Sequence, residues 1–341
     1  MKRGAWLAVL FGMAGLAVTM WLLGGSLASL ARVPAWAFAV GVALVAANYI
    51  AGAARLQMIS ALGGHTLSFG RCLRAYSIGL FSASITPGSA GQAPAVALSF
   101  MRDGLTGAQA WSVNVYIWVL DLAFLTYSVP LSLLLIGRSA ISLSTQQLWA
   151  FALLVAALAA SMMWVLSYRL NWFTSLGRQI FRLRWLARWR ASTDVFFGRV
   201  EAASGEIMRG TPVQRLTLHV LTAVVYVSTL SVFYVMISAI RPGAPFLTTL
   251  AIAQLPMVLA TFMPTPGGAG LLEIFTASLF VAGSSDPRPA EAVQSTGGSV
   301  AAAILGWRLL TFYSRFVIGP IAGSTFAGGA FEPNAEEPEA G

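Results

Sequence analysis

Apolar residues fill most of this chain in blocks of about twenty, and polar residues gather between the blocks rather than alternating within them. About 20 predominantly apolar residues are what a helix needs to cross the hydrocarbon core of a bilayer. The pattern therefore predicts spans over residues 6–27, 35–53, 108–136, 147–168, 216–240 and 299–321. The first follows Met1-Lys2-Arg3 and stays apolar to about Leu30. That is longer than the ~7–15 residues of a signal-peptide core, so an uncleaved span is expected there. The mixed stretch 54–75, with Arg55, His65, Arg71 and Arg74, is expected at an interface.

Two further apolar blocks are each broken in the middle by one phrase, T-P-G-x-A-G. It occurs as Thr86-Pro87-Gly88-Ser89-Ala90-Gly91 and again as Thr265-Pro266-Gly267-Gly268-Ala269-Gly270. The arms of the first, residues 76–85 and 92–100, are too short at 1.5 Å per residue to cross a core of ~30 Å. A re-entrant hairpin of two half-helices is expected. Its non-helical backbone is tolerated at membrane depth only when buried in protein or lining a polar cavity. The second phrase has longer arms, 246–263 and 271–281, and its hairpin is either re-entrant or fully crossing. Threonine followed by proline favours a helix start, with Thr as N-cap and Pro in the first turn. The trailing half-helices are thus expected to begin at Thr86 and Thr265, with their positive dipole ends inside the membrane, where they attract anions. Gly88, Gly91, Gly267, Gly268 and Gly270 leave room for a ligand or for an opposing backbone. The competing reading makes both phrases structural kinks where small residues let helices pack closely.

The order span, span, hairpin, span occurs twice, over residues 5–137 and 147–323. Three full crossings per unit is an odd number, so the second unit is expected to be inverted relative to the first. The fold expected is an all-α polytopic membrane protein, with about six full spans and two broken-helix hairpins in one integral membrane domain over residues 1–323. Residues 169–215 form a polar insert, and residues 324–341 an acidic tail expected to be disordered. Inverted repeats with discontinuous helices are a transporter architecture.

Composition agrees with that picture: 57% of residues are hydrophobic and 10% charged, against about 25% charged in soluble domains. Mean hydropathy is +0.75. The formal charge of +9 is unevenly placed. Lys2, Arg3, Arg55, Arg71, Arg74, Arg102 and the insert fall on one predicted side, against Arg32, Arg138, Arg241 and Arg288 on the other. The positive-inside rule makes the first side cytoplasmic, with both termini there, in a multi-pass membrane protein. In the insert, Trp172, Leu176, Ile180, Leu183 and Ala187 recur at near-helical spacing. An interfacial amphipathic helix is expected, with Trp172, Trp185 and Trp189 at headgroup level and Arg178, Arg182, Arg184, Arg188 and Arg190 meeting anionic lipid headgroups. The alternative gives the arginines only a role in topology.

Candidate chemistry is sparse. One cysteine, Cys72, and two isolated histidines, His65 and His219, make no ligand-spaced set, so neither a metal nor a cofactor is expected. There is no P-loop, no H-E-x-x-H and no Ser/His pairing within the spans, which argues against an enzyme; a nucleic-acid partner is not expected either. Three ionisable residues fall inside predicted apolar helices: Asp121, Glu273 and Arg308. Charges at such depth are expensive and face a partner or water. Asp121 and Arg308 hold related positions in the two units and are candidates to pair, as a static bridge or as a gating or headgroup site. Glu273 either faces a cavity as a proton or cation site or lies outside it. Gln92, Gln254, Ser82, Ser84 and Thr261 are weaker lining candidates.

These residues resemble the lysylphosphatidylglycerol synthase transmembrane-region family. Ile85 to Gly91 resembles its l-x-P-G-x-x-G-E segment, and Met263 to Glu273 its P-x-P-G-G-x-G-x-x-E segment. Asp121 matches the aspartate closing E-R-x-x-D, and Arg308 to Tyr313 resembles its last-helix R-x-x-x-x-[YFW] stretch. The family includes the lipid-flipping portion of multiple peptide resistance factors, stand-alone bacterial inner-membrane proteins and a member associated with hopanoid loci, so the resemblance implies lipid translocation in the cytoplasmic (inner) membrane of a bacterium. Gln92 stands where the first elbow usually has Glu, and Ile117-Trp118 replace Glu-Arg before Asp121. Those departures remove charge and favour a weakly polar or neutral lipid such as a hopanoid over an aminoacylated headgroup. The expected function is translocation of an amphipathic lipid, a phospholipid or a hopanoid, through an intramembrane site between the two broken helices. Thr86, Pro87, Gly88, Gly91, Gln92, Asp121, Thr265, Pro266, Gly267, Gly268, Gly270, Glu273 and Arg308 are the expected substrate-site residues. The alternatives are a non-transporting partner of lipid-synthesis proteins and an intramembrane lipid-modifying enzyme.

Overall fold

A computed structural model describes residues 30–31, 33–140, 145–180, 190–262, 265–268, 270–283 and 300–324. The expected first span and the acidic tail lie outside the described residues. A backbone in hydrocarbon must satisfy its own polar groups, and a helix does so within one segment. The described chain is accordingly helical, with an isolated β-bridge between Pro87 and Pro266. Its helices are α1 (Ala35–Leu62), α2 (Phe69–Ile85), α3 (Gln92–Arg102), α4 (Gly107–Ala140), α5 (Thr145–Tyr168), α6 (Leu170–Ile180), α7 (Arg190–Ile207), α8 (Pro212–Ile240), α9 (Phe246–Ala260), α10 (Leu271–Gly283) and α11 (Val300–Ser324). Five of the described helices are long and apolar enough to cross a membrane: α1, α4, α5, α8 and α11. The chain is an all-α polytopic membrane protein.

The expected interface at residues 54–75 needs correction. Helix α1 continues through Arg55 to Leu62, and Arg55 is buried rather than at the surface. A carboxylate from α4 compensates its charge, so the helix does not have to end where the arginine begins. After a turn, Ser68 caps α2 by accepting a hydrogen bond from the Arg71 N–H. The leading arm of the first elbow therefore starts at Phe69, not at Tyr76. Its 17 residues extend about 25 Å. The leading arm of the second elbow ends at Ala260, three residues earlier than expected.

Helix α1 packs along α8, α2 against the end of α11 and α9 against α4. Missing side chains allow the close approaches. A Cβ on Gly52 would stand 2.3 Å from the Tyr76 ring, and one on Gly319 would stand 2.3 Å from Phe81. Small residues serve membrane helices in this way because lipid supplies no hydrophobic drive for their association. Polar contacts add direction: Ser132 donates to Gln254 Oε1 at 2.8 Å, and Gln254 Nε2 donates to Ser128 at 2.7 Å, tying α9 to α4. Gln254, a weak lining candidate, is thereby a buried clamp.

In the insert, α7 packs against α4, with Val200 and Phe196 against Ala108, Val115 and Leu170. Arg178, expected at the lipid surface, instead faces α7, at 3.1 Å from Glu201 and 3.8 Å from Asp194. Thr174 also donates to Glu201. Trp172 is exposed, and the Arg169 guanidinium sits 5.7 Å from its ring and 5.9 Å from that of Trp164. Arg182, Arg184, Trp185, Arg188 and Trp189 lie outside the described residues, and Arg190 begins α7.

Candidate functional site

The two T-P-G-x-A-G phrases meet. Pro87 and Pro266 are paired antiparallel, so each elbow is the other's neighbour. Proline has no N–H, so the two prolines cannot exchange a hydrogen-bonded pair. Their conformations also match. Gly88 and Gly267 both have φ of +57°, and the next residues, Ser89 and Gly268, have +58° and +67°. Two successive left-handed residues turn the chain before the next helix can start.

That turn corrects the expected helix starts. Helix α3 begins at Gln92 and α10 at Leu271, each six residues after its threonine. Thr86 is the C-cap of α2: its hydroxyl donates to Ser82 O at 2.8 Å and accepts from the Gly91 N–H at 2.8 Å, closing the loop on itself. Thr265 lies in the second loop with a buried hydroxyl. The local Thr-Pro rule fails because the left-handed pair after each proline cannot be the first turn of a right-handed helix.

The glycines admit opposing protein. A Cβ on Gly88 would approach Thr261 O to 2.8 Å, and one on Gly267 would meet Phe312 at 2.0 Å. Gly91 is closed by Thr86, and Gly268 by Ala260. Of the two roles open to these glycines, packing against the facing elbow and the last helix is the one observed.

The buried charges also pair differently from expectation. Asp121 does not meet Arg308. Arg55 Nη1 lies 2.6 Å from Asp121 Oδ1 and also donates to Thr222 Oγ1 at 3.3 Å, joining α1, α4 and α8. Arg308 Nε lies 2.6 Å from Glu273 Oε1, joining α11 to α10. Glu273 is fully buried, and its other oxygen accepts from the Gly270 N–H at 2.7 Å. It is the acid in the first turn of α10, where a carboxylate meets both orphan N–H groups and the positive helix end. Arg308 further donates to Gly267 O at 3.3 Å and stacks 4.0 Å from the Phe312 ring centroid. Glu273, Arg308 and Phe312 therefore hold the second elbow in place. The last helix carries a π turn at Leu309–Tyr313, immediately after Arg308. Such insertions often mark functional positions.

Between the elbows and the central helices lies a cavity of about 200 Å³. Gln92, Asp121, Gly267 and Arg308 of the expected site residues line it. Thr86, Pro87, Gly88, Gly91, Thr265, Pro266, Gly268, Gly270 and Glu273 do not, and form the elbows behind its wall. Thr261, a weaker candidate, lines it too. So do residues missed from the sequence: Arg55, Arg315, Asn48 and Tyr76. Asn48 donates to Val225 O at 2.8 Å and accepts from the Tyr76 hydroxyl at 3.2 Å, which fixes both on the wall. Arg315 falls seven residues after Arg308, a spacing that shares one face of a regular α-helix, and that spacing was the available signal. No group of three or more metal-ligating side chains occurs among the described residues.

A cavity walled by three arginines at the meeting point of two broken helices is a built polar site inside an apolar bundle. A UPF0104 membrane protein of Archaeoglobus fulgidus is 24% identical over 282 residues, covering 79% of this chain and 80% of its own. The family model described as the lysylphosphatidylglycerol synthase transmembrane region matches residues 5–319, across both elbows and both ion pairs, and the chain belongs to that family.

Proposed function

We propose that this protein translocates an amphipathic lipid across the cytoplasmic membrane, its headgroup passing through the cavity between the two elbows. The observation that carries the reading is the cavity itself. It has charged and amide walls at the centre of helices whose outer faces bear exposed apolar residues such as Leu153, Leu158, Val220 and Val317. A polar room within an apolar bundle suits a molecule with a polar head and apolar tails.

The same reading treats residues 5–137 and 147–323 as inverted repeats within one membrane domain, with the termini and the Arg-rich insert cytoplasmic. Reciprocal packing supports the repeat. The first leading arm, α2, lies on the last helix of the second unit, and the second leading arm, α9, on the last helix of the first. Central helices α1 and α8 face each other, and the elbows share their backbone conformation. Discontinuous helices meeting at the middle of an inverted repeat are a transport architecture. The reading assigns no catalytic residue, no metal and no cofactor.

Purified protein in liposomes with fluorescent lipids tests the proposal by leaflet exchange. Exchange faster than in protein-free vesicles is expected. Equal rates across anionic, zwitterionic and neutral lipids, a hopanoid included, would refute it.

A further inference from the structure

The two elbow regions match in backbone but differ in charge. Behind the second, Arg308 is neutralised by Glu273, which also caps α10. At the first, Gln92 opens α3 with a neutral amide, and the Gly91 N–H is met by a hydroxyl rather than a carboxylate. Facing the same cavity, Arg315 donates to Ser84 Oγ at 3.4 Å and has no carboxylate partner among the described residues. Arg55 is 3% exposed, and its Nε is buried without a hydrogen-bond partner although the residue lines the cavity.

Three guanidinium groups (Arg55, Arg308 and Arg315) stand at the cavity against two carboxylates, Asp121 and Glu273. Among the described residues, one positive charge is left over. An unmatched charge in low dielectric is costly, whereas a bound anion makes it favourable. The unneutralised helix start at Gln92 adds positive potential from the same side.

We propose that this cavity binds one singly charged phosphate diester, the headgroup phosphate of an anionic phospholipid, with Arg315 as its principal ligand and the Arg55 Nε–H and Gln92 amide as further donors. This rests on the translocase reading and names its substrate class. Arginine suits a phosphate because its planar fork offers two parallel donors. A phosphate monoester, at about −1.5 to −2, would exceed the charge available. The cavity, of about 200 Å³, takes the small headgroup, with the acyl chains left in the bilayer. Loss of an acid at Gln92 thus argues for an anionic lipid, opposite to the neutral lipid that the sequence favours.

Native mass spectrometry of the full chain in detergent tests this with phosphatidylglycerol, uncharged diacylglycerol, phosphatidylcholine and inorganic phosphate as probes. Phosphatidylglycerol should be retained roughly tenfold or more over diacylglycerol and over zwitterionic phosphatidylcholine. Arg315→Gln should remove that preference by roughly tenfold to a hundredfold, the size of one charge-assisted contact. Gln92→Glu, which changes charge with almost no change of volume, should do the same, and Arg315→Lys should retain part of it. Equal retention of phosphatidylglycerol by the wild type, Arg315→Gln and Gln92→Glu would overturn the proposal. So would equal retention of phosphatidylcholine, or displacement of phosphatidylglycerol by millimolar inorganic phosphate. Leaflet exchange of a neutral lipid without phosphatidylglycerol preference would sink this inference and leave the translocase reading standing. Arg315-dependent binding without any exchange would do the reverse.

Discussion

Replacing Glu273 with glutamine takes one charge from a buried pair. Glu273 is 0% exposed, and Arg308, 5% exposed, meets open space only at the cavity that it lines. Breaking a buried pair from one side costs about 3–5 kcal/mol. Glutamine keeps an oxygen for the Gly270 N–H, so this variant isolates the charge. Glu273→Leu also orphans that N–H and adds about 1–3 kcal/mol. The double variant Glu273→Leu/Arg308→Met removes the stranded cation. It leaves the lost cap, the unmet Gly267 carbonyl and a missing stack on Phe312 worth about 0.5–2 kcal/mol. Although it changes more, the double variant should be more stable than Glu273→Leu alone, with a coupling of at least about 2 kcal/mol. Unfolding in mixed micelles by SDS titration gives these numbers, with the fluorescence of buried Trp307, next to Arg308, as one local reporter. A Glu273→Gln loss under ~1 kcal/mol, or a double variant no more stable than Glu273→Leu, would refute the claim that this pair holds the elbow.

Other variants probe neighbouring contacts by the same unfolding assay. Gly267→Ala forces a left-handed alanine against the Phe312 ring and should cost about 2–5 kcal/mol, strain and overpacking together; a loss under ~1 kcal/mol would disprove the contact. Ser89→Gly should change stability by no more than ~1 kcal/mol, because relief of the φ of +58° offsets added chain entropy, whereas Ser89→Val should cost about 2 kcal/mol or more. Asp121→Asn strands Arg55, but Asp121 is a quarter exposed, so the loss should be smaller than for Glu273→Gln. Gln254→Leu should cost about 0.6–1.7 kcal/mol, the range of membrane interhelical hydrogen bonds, and no loss would show that the clamp to Ser128 and Ser132 is idle.

The long helices were legible because apolar length is a strong local signal: α5 and α8 begin and end within a few residues of expectation. The elbows were legible because the same phrase occurs twice. What sequence could not reveal was which partner each charge would choose. Arg55 sits among small and polar residues that read as an interface, yet its carboxylate lies 66 positions away on α4. Asp121 and Arg308 hold corresponding places in the two units, but each finds a nearer partner across a helix contact that local rules do not encode. Thr86 shows a local rule overruled: Thr-Pro is a good helix start, and the positive φ of Gly88 and Ser89 displaces it. Arg315 was within reach, since its spacing from Arg308 alone places the two on one face of a regular α-helix.

The join between Pro87 and Pro266 also brings together two self-contained turns. Each loop is closed from within, the Ser89 N–H donating to Thr86 O at 3.3 Å and the Gly268 N–H to Thr265 O at 3.1 Å. A turn that holds its own shape moves as a unit, so the two elbows are two rigid halves of one seam rather than a single continuous loop. A covalent staple across the seam, tested for arrested exchange in otherwise folded protein, would show whether the proposed transport needs the halves to part.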